Sequence, residues 1–239
     1  MTKVDKSSHK VEAMFNSIAS KYDSLNHLLS FGIDKRWRKI LIRELSKLHP
    51  QQVLDVATGT ADLAIQLARY SKSVEITGID ISAGMLEKGR SKVAKKGLSD
   101  RVKLKQASAG SLPFASNTFD AAMVAFGVRN FEDLSGSLME IGRTLKPKAK
   151  LFILEFSKPI KFPFAQIYRL YFKHILPFIG GIVSGNKRAY RYLFESVMEF
   201  PEKKDFVSLM EQAGFVGCTF MSLTFGIASI YIGEKQAVQ

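Results

Sequence analysis

Between residues 51 and 159, short apolar runs alternate with longer amphipathic stretches, and few architectures accommodate that order. Val53-Leu54-Asp55-Val56-Ala57 reads as a buried strand and Asp62 to Tyr70 as a helix. Val74 to Asp80 and Ala83 to Lys96 repeat the pair, and Val102 to Gln106 forms a third strand. Phe119 to Phe126 is a fourth, followed by a helix over Glu132 to Leu145 and a fifth strand over Lys150 to Glu155. Such a rhythm implies parallel strands with helices on both faces of one sheet. Farther on, Lys203 to Ala213 reads as a helix ended by Gly214. Cys218 to Leu223 and Ala228 to Glu234 then form a hairpin around Phe225-Gly226. The expected fold is α/β: a doubly wound, mostly parallel seven-stranded sheet with a C-terminal β-hairpin.

Four regions follow from this reading. Residues 1–50 form a tail and a helical cap, in which Phe15, Ile18 and Tyr22 share one face and Trp37, Ile40, Leu41 and Leu45 another, with Gly32 between the two helices. Residues 51–159 are the α/β core, and residues 160–202 an aromatic-rich helical insertion without a clear strand. Residues 203–239 return to the core. Loops as long as this insertion are usually functional.

Composition narrows the class. The single cysteine, Cys218, allows no internal disulfide, and the polar start has no secretory core, so a cytoplasmic protein is expected. No apolar run reaches the ~18 residues of a membrane-spanning helix. The net charge is +13. Residues 140–204 carry 13 basic and 5 acidic side chains, whereas residues 51–139 carry 11 and 9. A field of that sign attracts polyanions or simply keeps the chain soluble.

Strand one runs into Thr58-Gly59-Thr60-Ala61-Asp62, a small-residue turn before a helix, where backbone can approach a ligand closely. Only Gly59 of the three glycines of a dinucleotide fingerprint is present, which disfavours an NAD-type site. S-adenosylmethionine needs no pyrophosphate cradle; it needs a carboxylate near the turn and an acid at the end of strand two. Asp80 stands there, 25 residues after Asp55. A carboxylate at that place accepts hydrogen bonds from two vicinal hydroxyls, and the competing role is a helix N-cap. Asp55 is expected to bind backbone amides of the turn. Ser108-Ala109, after strand three, is where an adenine would lie.

Several strings together resemble a known family. They are Tyr22-Asp23-Ser24-Leu25-Asn26 with Ser30-Phe31-Gly32 and Trp37; Phe126-Gly127-Val128-Arg129-Asn130; and Leu145-Lys146-Pro147 with Leu154-Glu155-Phe156-Ser157-Lys158-Pro159. Leu176-Pro177 with Gly180, Tyr190 to Leu193, Ser196, Phe200-Pro201, Gly214-Phe215 and Leu223-Thr224-Phe225-Gly226 extend the match. The chain is similar to the quinone-biosynthesis C-methyltransferases, the demethylmenaquinone and 2-polyprenyl-6-methoxyphenol methylases, over about residues 11–234. The resemblance implies a class I methyltransferase-like fold, S-adenosylmethionine as cofactor, and cofactor contacts at Thr60, Asp80, Ser108 and Ala109. Two departures stand out: the family often has glycine at Ala61 and commonly serine at Ala125. It often has histidine at Asp34, which is given no role.

A ring carbon becomes nucleophilic when a neighbouring hydroxyl loses its proton, so the chemistry needs a stabilised phenolate and alignment with the methyl donor. Arg129 is expected to stabilise that anion or polarise a water, and Asn130 to orient it. The competing role for Arg129 is a structural clasp, with Asp133 as partner. Tyr22 and Asn26 are second-rank residues for closing over the cofactor, and Glu155 is either a base or a carboxylate bound to backbone. No metal is expected, since His9, His27, His49 and His174 show no ligand spacing.

In the insertion, a helix through 164–176 would place Phe164, Ile167, Tyr168, Tyr171, Phe172 and Ile175 on one side and Gln166, Arg169 and Lys173 on the other. Such a helix packs on the core, roofs an isoprenoid tunnel, or lies on a membrane. The basic excess favours anionic lipid at the inner face of the cell membrane. A polyprenylated quinol is the expected substrate, no nucleic acid is expected, and a homodimer stays open. Demethylmenaquinol is preferred, because Asp55-Val56-Ala57-Thr58-Gly59-Thr60 looks closer to the menaquinone-only relatives. The alternatives are the ubiquinone-pathway benzoquinol, another small lipid, or RNA, which usually requires exposed aromatics on a sheet or an added domain.

Overall fold

The computed structural model describes residues 4–19, 32–159 and 187–237, with the separate positions 162, 165, 166 and 170. In chain order the elements are α1 (Ser8–Ile18), α2 (Ile33–Ser46), β1 (Gln52–Val56), α3 (Asp62–Tyr70), β2 (Glu75–Asp80), α4 (Ala83–Lys95), β3 (Val102–Gln106), β4 (Phe119–Ala125), α5 (Leu134–Thr144), β5 (Leu145–Phe156), α6 (Lys187–Glu199), α7 (Lys204–Gln212), β6 (Phe215–Leu223) and β7 (Ala228–Lys235). The seven strands form one sheet in the order β3-β2-β1-β4-β5-β7-β6. β1 to β5 pair in parallel, and β7 enters antiparallel between β5 and β6. The doubly wound expectation and the C-terminal hairpin are both present.

The central strands β1 and β4, and β5 from Leu151, are buried along their length because both faces are covered, whereas the edge strands β3 and β6 are largely exposed. Successive side chains point to opposite faces, so neighbours in sequence fall into different cores. Val53 packs in a layer with Trp37, Leu41 and Leu45 of α2 and with Leu63 and Leu67 of α3. Leu54 and Val56 pack in the other layer with Leu138 and Ile141 of α5 and Phe206 and Met210 of α7. α2 owes its helical state to that buried stripe, and Gly32, at φ 72, stands just before its first turn as the N-cap. No helix among the described residues is long and apolar enough to cross a membrane.

Three elements differ from expectation. β5 starts at Leu145, directly after α5, with Phe119 opposite Leu145 and Ala121 opposite Lys150. Residues 146–149 therefore bulge, as Pro147 and Lys148 (φ 63) demand. β6 starts three residues before the expected Cys218, at Phe215, across a register shift between Val216 and Thr219 in which Gly217 takes φ 58. α6 lies inside the insertion where no helix over 187–199 was read. The expected helix through 164–176 and the residues Tyr22, Asn26, His27, His174, Pro177 and Gly180 lie outside the described residues, as do Ser30 and Phe31.

Candidate active site

Strand order reverses between β1 and β4: from β1 the chain winds toward β3, and from β4 toward β5. Ligands of such sheets bind at the carboxyl ends of the strands beside that reversal. There the structure has a cleft of about 220 Å³, walled by the segments that follow β1, β2, β3 and β4. The turns beneath it take left-handed backbone at Ala57 (φ 54), Gly59 (φ 55), Ala61 (φ 64) and Phe126 (φ 59). Gly127 has no room for a side chain, because a Cβ there would come within 2.5 Å of the Ala57 methyl. At Ala61 the left-handed conformation costs about 1–2 kcal/mol in a non-glycine residue. Its methyl is fully buried in the core, which offsets part of that cost.

Asp80 lines the cleft from the end of β2. One carboxylate oxygen accepts from the Gly59 N–H at 2.8 Å and the other from the Ser82 N–H at 2.9 Å. A carboxylate has about four acceptor sites, which leaves capacity for ligand hydroxyls beside these backbone amides. Helix capping falls to Ser82, whose Oγ accepts from the Met85 N–H at 3.2 Å. Burial pushes the Asp80 pKa upward, against the backbone donors that hold it down. Ser108 and Ala109 line the same cleft with Ile79, Ile81 and Met85, so an apolar slot adjoins the carboxylate.

Asp55 and Thr60 sit behind the turn. Asp55 is buried and accepts from Thr58 Oγ1 at 2.6 Å. The Thr60 hydroxyl faces Lys92, whose Nζ lies 3.1 Å away, and Thr60 is not among the cleft's lining residues. Burial pushes the Asp55 pKa up to about 7, with the Thr58 hydroxyl and Arg38 pulling down and Asp80 pushing up. A carboxyl whose folded pKa lies above its unfolded value of 3.8 favours the fold most below about pH 4. That contribution is lost as pH rises through about 7. Asp55→Asn is expected to flatten the fall in thermal midpoint over that window, where one proton changes stability by up to about 1.4 kcal/mol per pH unit. Thermal unfolding followed by circular dichroism at several pH values checks this; parallel profiles for the two proteins contradict it.

Arg129 and Asn130 occupy a 3-10 turn (Val128–Asn130) just beyond β4. Asn130 lines the cleft. Arg129 is buried behind it: its Nη1 donates to Glu155 Oε1 at 2.7 Å, and its backbone N–H to Glu155 Oε2 at 3.3 Å. The structural clasp weighed for Arg129 is thus made with Glu155 rather than Asp133, which instead caps α5 by accepting from the Gly136 N–H. Glu155 also accepts from the Phe156 N–H at 2.8 Å, so it is a carboxylate bound to backbone and guanidinium. Tyr192 of α6 donates its hydroxyl to Asn130 Oδ1 at 3.1 Å.

Sequence reasoning missed the wall supplied by α1, which brings Ser8, Val11 and Phe15 to the cleft. α1 is held there by Glu132, which accepts from the Ser8 N–H and hydroxyl. Asn16 anchors it further by accepting from Ser82 Oγ and the Gly84 N–H. Asp34, given no role, forms a buried ion pair with Arg38, whose guanidinium lies 5.4 Å from the centre of the cleft residue Phe126. Spacing of four residues on α2 was the readable signal for that pair.

The donor set fits an adenosyl sulfonium. Asp80 presents acceptors for vicinal hydroxyls, the slot beside Ala109 and Met85 suits a flat heterocycle, and the nearby carboxylates favour a cation.

Comparison with known proteins agrees with that chemistry. The model of the ubiE/COQ5 methyltransferase family matches residues 1–235. A protein named demethylmenaquinone methyltransferase from Porphyromonas gingivalis is 44% identical over 95% of this chain and 93% of its own. One from Geotalea daltonii, named ubiquinone/menaquinone biosynthesis C-methyltransferase UbiE, is 43% identical over 98% of this chain and all of its own. Among solved structures, a Thermotoga maritima protein described as an S-adenosylmethionine-dependent methyltransferase shares the fold. It has a TM-score of 0.70 at 16% identity, covering 94% of this chain and 99% of its own.

Proposed function

The chain belongs to the ubiE/COQ5 methyltransferase family, and from that membership together with the cleft we propose that it methylates a ring carbon of demethylmenaquinol to give menaquinol. It is an S-adenosylmethionine-dependent C-methyltransferase of quinone biosynthesis. The observation that carries the reading is Asp80 held by two backbone amides at the strand reversal, beside an apolar slot. S-adenosylmethionine supplies a methyl group on a positively charged sulfur. Asp80 would hold its ribose hydroxyls, with Ser108 and Ala109 beside the adenine. Asp55 and Thr60 shape the turn from behind, and Gly59 brings backbone to the cleft floor. Asn130 faces the quinol, and Arg129, tied to Glu155, positions it through the 3-10 turn that Arg129 and Asn130 share. Demethylmenaquinol is preferred to a benzoquinol because menaquinone is in the names of relatives of both kinds, whereas ubiquinone is in those of one kind, at similar identity.

The quinol is too apolar to reach the cleft through water. The excess of basic residues over 140–204 supports peripheral contact with anionic lipid, from which an isoprenoid tail would enter. Purified protein, S-adenosylmethionine and demethylmenaquinol in vesicles test both proposals. Methylated quinol is expected, formed faster on vesicles containing phosphatidylglycerol than on neutral ones, with the difference lost in about 0.5 M salt, where screening shortens to a few ångströms. No methylated product contradicts the activity; equal rates on both vesicle types contradict the lipid contact.

A further inference from the structure

We propose that Tyr192 is a positioning residue that fixes the Asn130 carboxamide so that its N–H group, and not its oxygen, faces the quinol oxygen. An amide has one accepting end and one donating end, and only the donating end stabilises an oxyanion. The Tyr192 hydroxyl occupies Asn130 Oδ1 at 3.1 Å, which turns Nδ2 toward the cleft that Asn130 lines. Tyr192 arrives from 62 residues away, on the helix of the insertion, so α6 must be docked before the donor is set. The hydroxyl keeps its proton: burial pushes the Tyr192 pKa up to about 12, Arg129 pulls it down, and Glu155, Glu199 and Asp5 push it up. A phenol that remains protonated can donate to the amide oxygen, which is the sense the structure shows. With the amide reversed, an oxygen lone pair would face the developing phenolate and repel it. The insertion thereby contributes to the chemistry as well as to the cover. This inference rests on the quinol methyltransferase reading.

The test compares the full-length protein with Tyr192→Phe, Asn130→Asp and the double variant. The readouts are kcat and KM for the quinol, donor affinity by calorimetry, and the ionisation of bound 1-naphthol followed by its absorbance. Tyr192→Phe is expected to lower kcat about tenfold, a fraction of the loss that removing an oxyanion donor brings. KM and donor affinity should stay within about twofold, and bound 1-naphthol should ionise about one pH unit higher than on the wild type. Asn130→Asp places an oxygen where Nδ2 stood, so adding Tyr192→Phe to it should cause no further loss. Unchanged kcat in Tyr192→Phe, an unchanged naphthol ionisation, or additive losses in the double variant would overturn the proposal. Absence of turnover in the wild type would instead remove the reading on which it rests, while the naphthol titration still reports on the amide.

Discussion

Asp80→Asn is expected to bind S-adenosylmethionine about 100-fold more weakly while keeping its fold. The carboxylate spends one lone pair of each oxygen on the Gly59 and Ser82 amides, which sets its plane. Its remaining acceptor sites serve two ligand hydroxyls, and hydrogen bonds to a charged group are worth about 1.5–3 kcal/mol each. Asparagine keeps one accepting oxygen but turns an NH₂ group against a backbone N–H and a hydroxyl. The upper end of that range, lost at the one hydroxyl left facing the NH₂ group, gives the stated factor. Stability is expected to move little or to rise, because burial disfavours the Asp80 charge in the folded state. Calorimetry with S-adenosylmethionine, beside urea unfolding, separates the two effects. Affinity within a few-fold of the wild type would mean that Asp80 serves the turn and not the ligand.

Arg129→Ala is expected to destabilise the protein by about 3–5 kcal/mol, as breaking one side of a buried ion pair does. Glu155 is 0% exposed and would keep only the Arg129 and Phe156 backbone amides as donors. The lost guanidinium also leaves the Phe126 carbonyl and the face of the Phe156 ring. Adding Glu155→Gln removes the stranded charge, so the double variant should recover most of the loss. Urea unfolding followed by the fluorescence of Trp37, the single tryptophan, measures both. Trp37 sits in the core against Phe126 and Phe156, so its emission reports on the region concerned. Turnover should return with stability in the double variant. Recovered stability with turnover still lost would place the guanidinium's own charge at the reacting ring. A single variant as stable as the wild type would refute the ion-pair account.

Elements governed by local chemistry were legible in the sequence. The helix over Asp62 to Tyr70 and the strand over Val102 to Gln106 have the bounds that apolar periodicity implies. The hairpin at Phe225-Gly226 follows from a glycine that takes φ 90. The place of Asp80 was legible too, because it depends on one strand end and one turn. What escaped reading depends on distant partners or on local irregularity. Pro147 cannot donate to a sheet ladder, which hides a strand that starts at Leu145, yet a bulge accommodates it. Gly217 masked the start of β6 in the same way. The partner of Arg129 is 26 residues away across two strands, and Asp133 was merely nearer in sequence. The amphipathic face of α1 announced burial without saying that Val11 and Phe15 would close a ligand cleft. The helix α6 had its own signal in Leu193, Phe194 and Val197, at spacings of three and four. It was obscured by the aromatic richness of the surrounding insertion.

The quinones of cells that lack this protein, extracted and weighed by mass spectrometry, test the central claim most directly. Methylation of a quinol ring by this chain predicts accumulation of a quinone lighter by one CH₂, restored by the wild-type gene and not by the Asp80→Asn form. A full complement of mature quinone in those cells would contradict it.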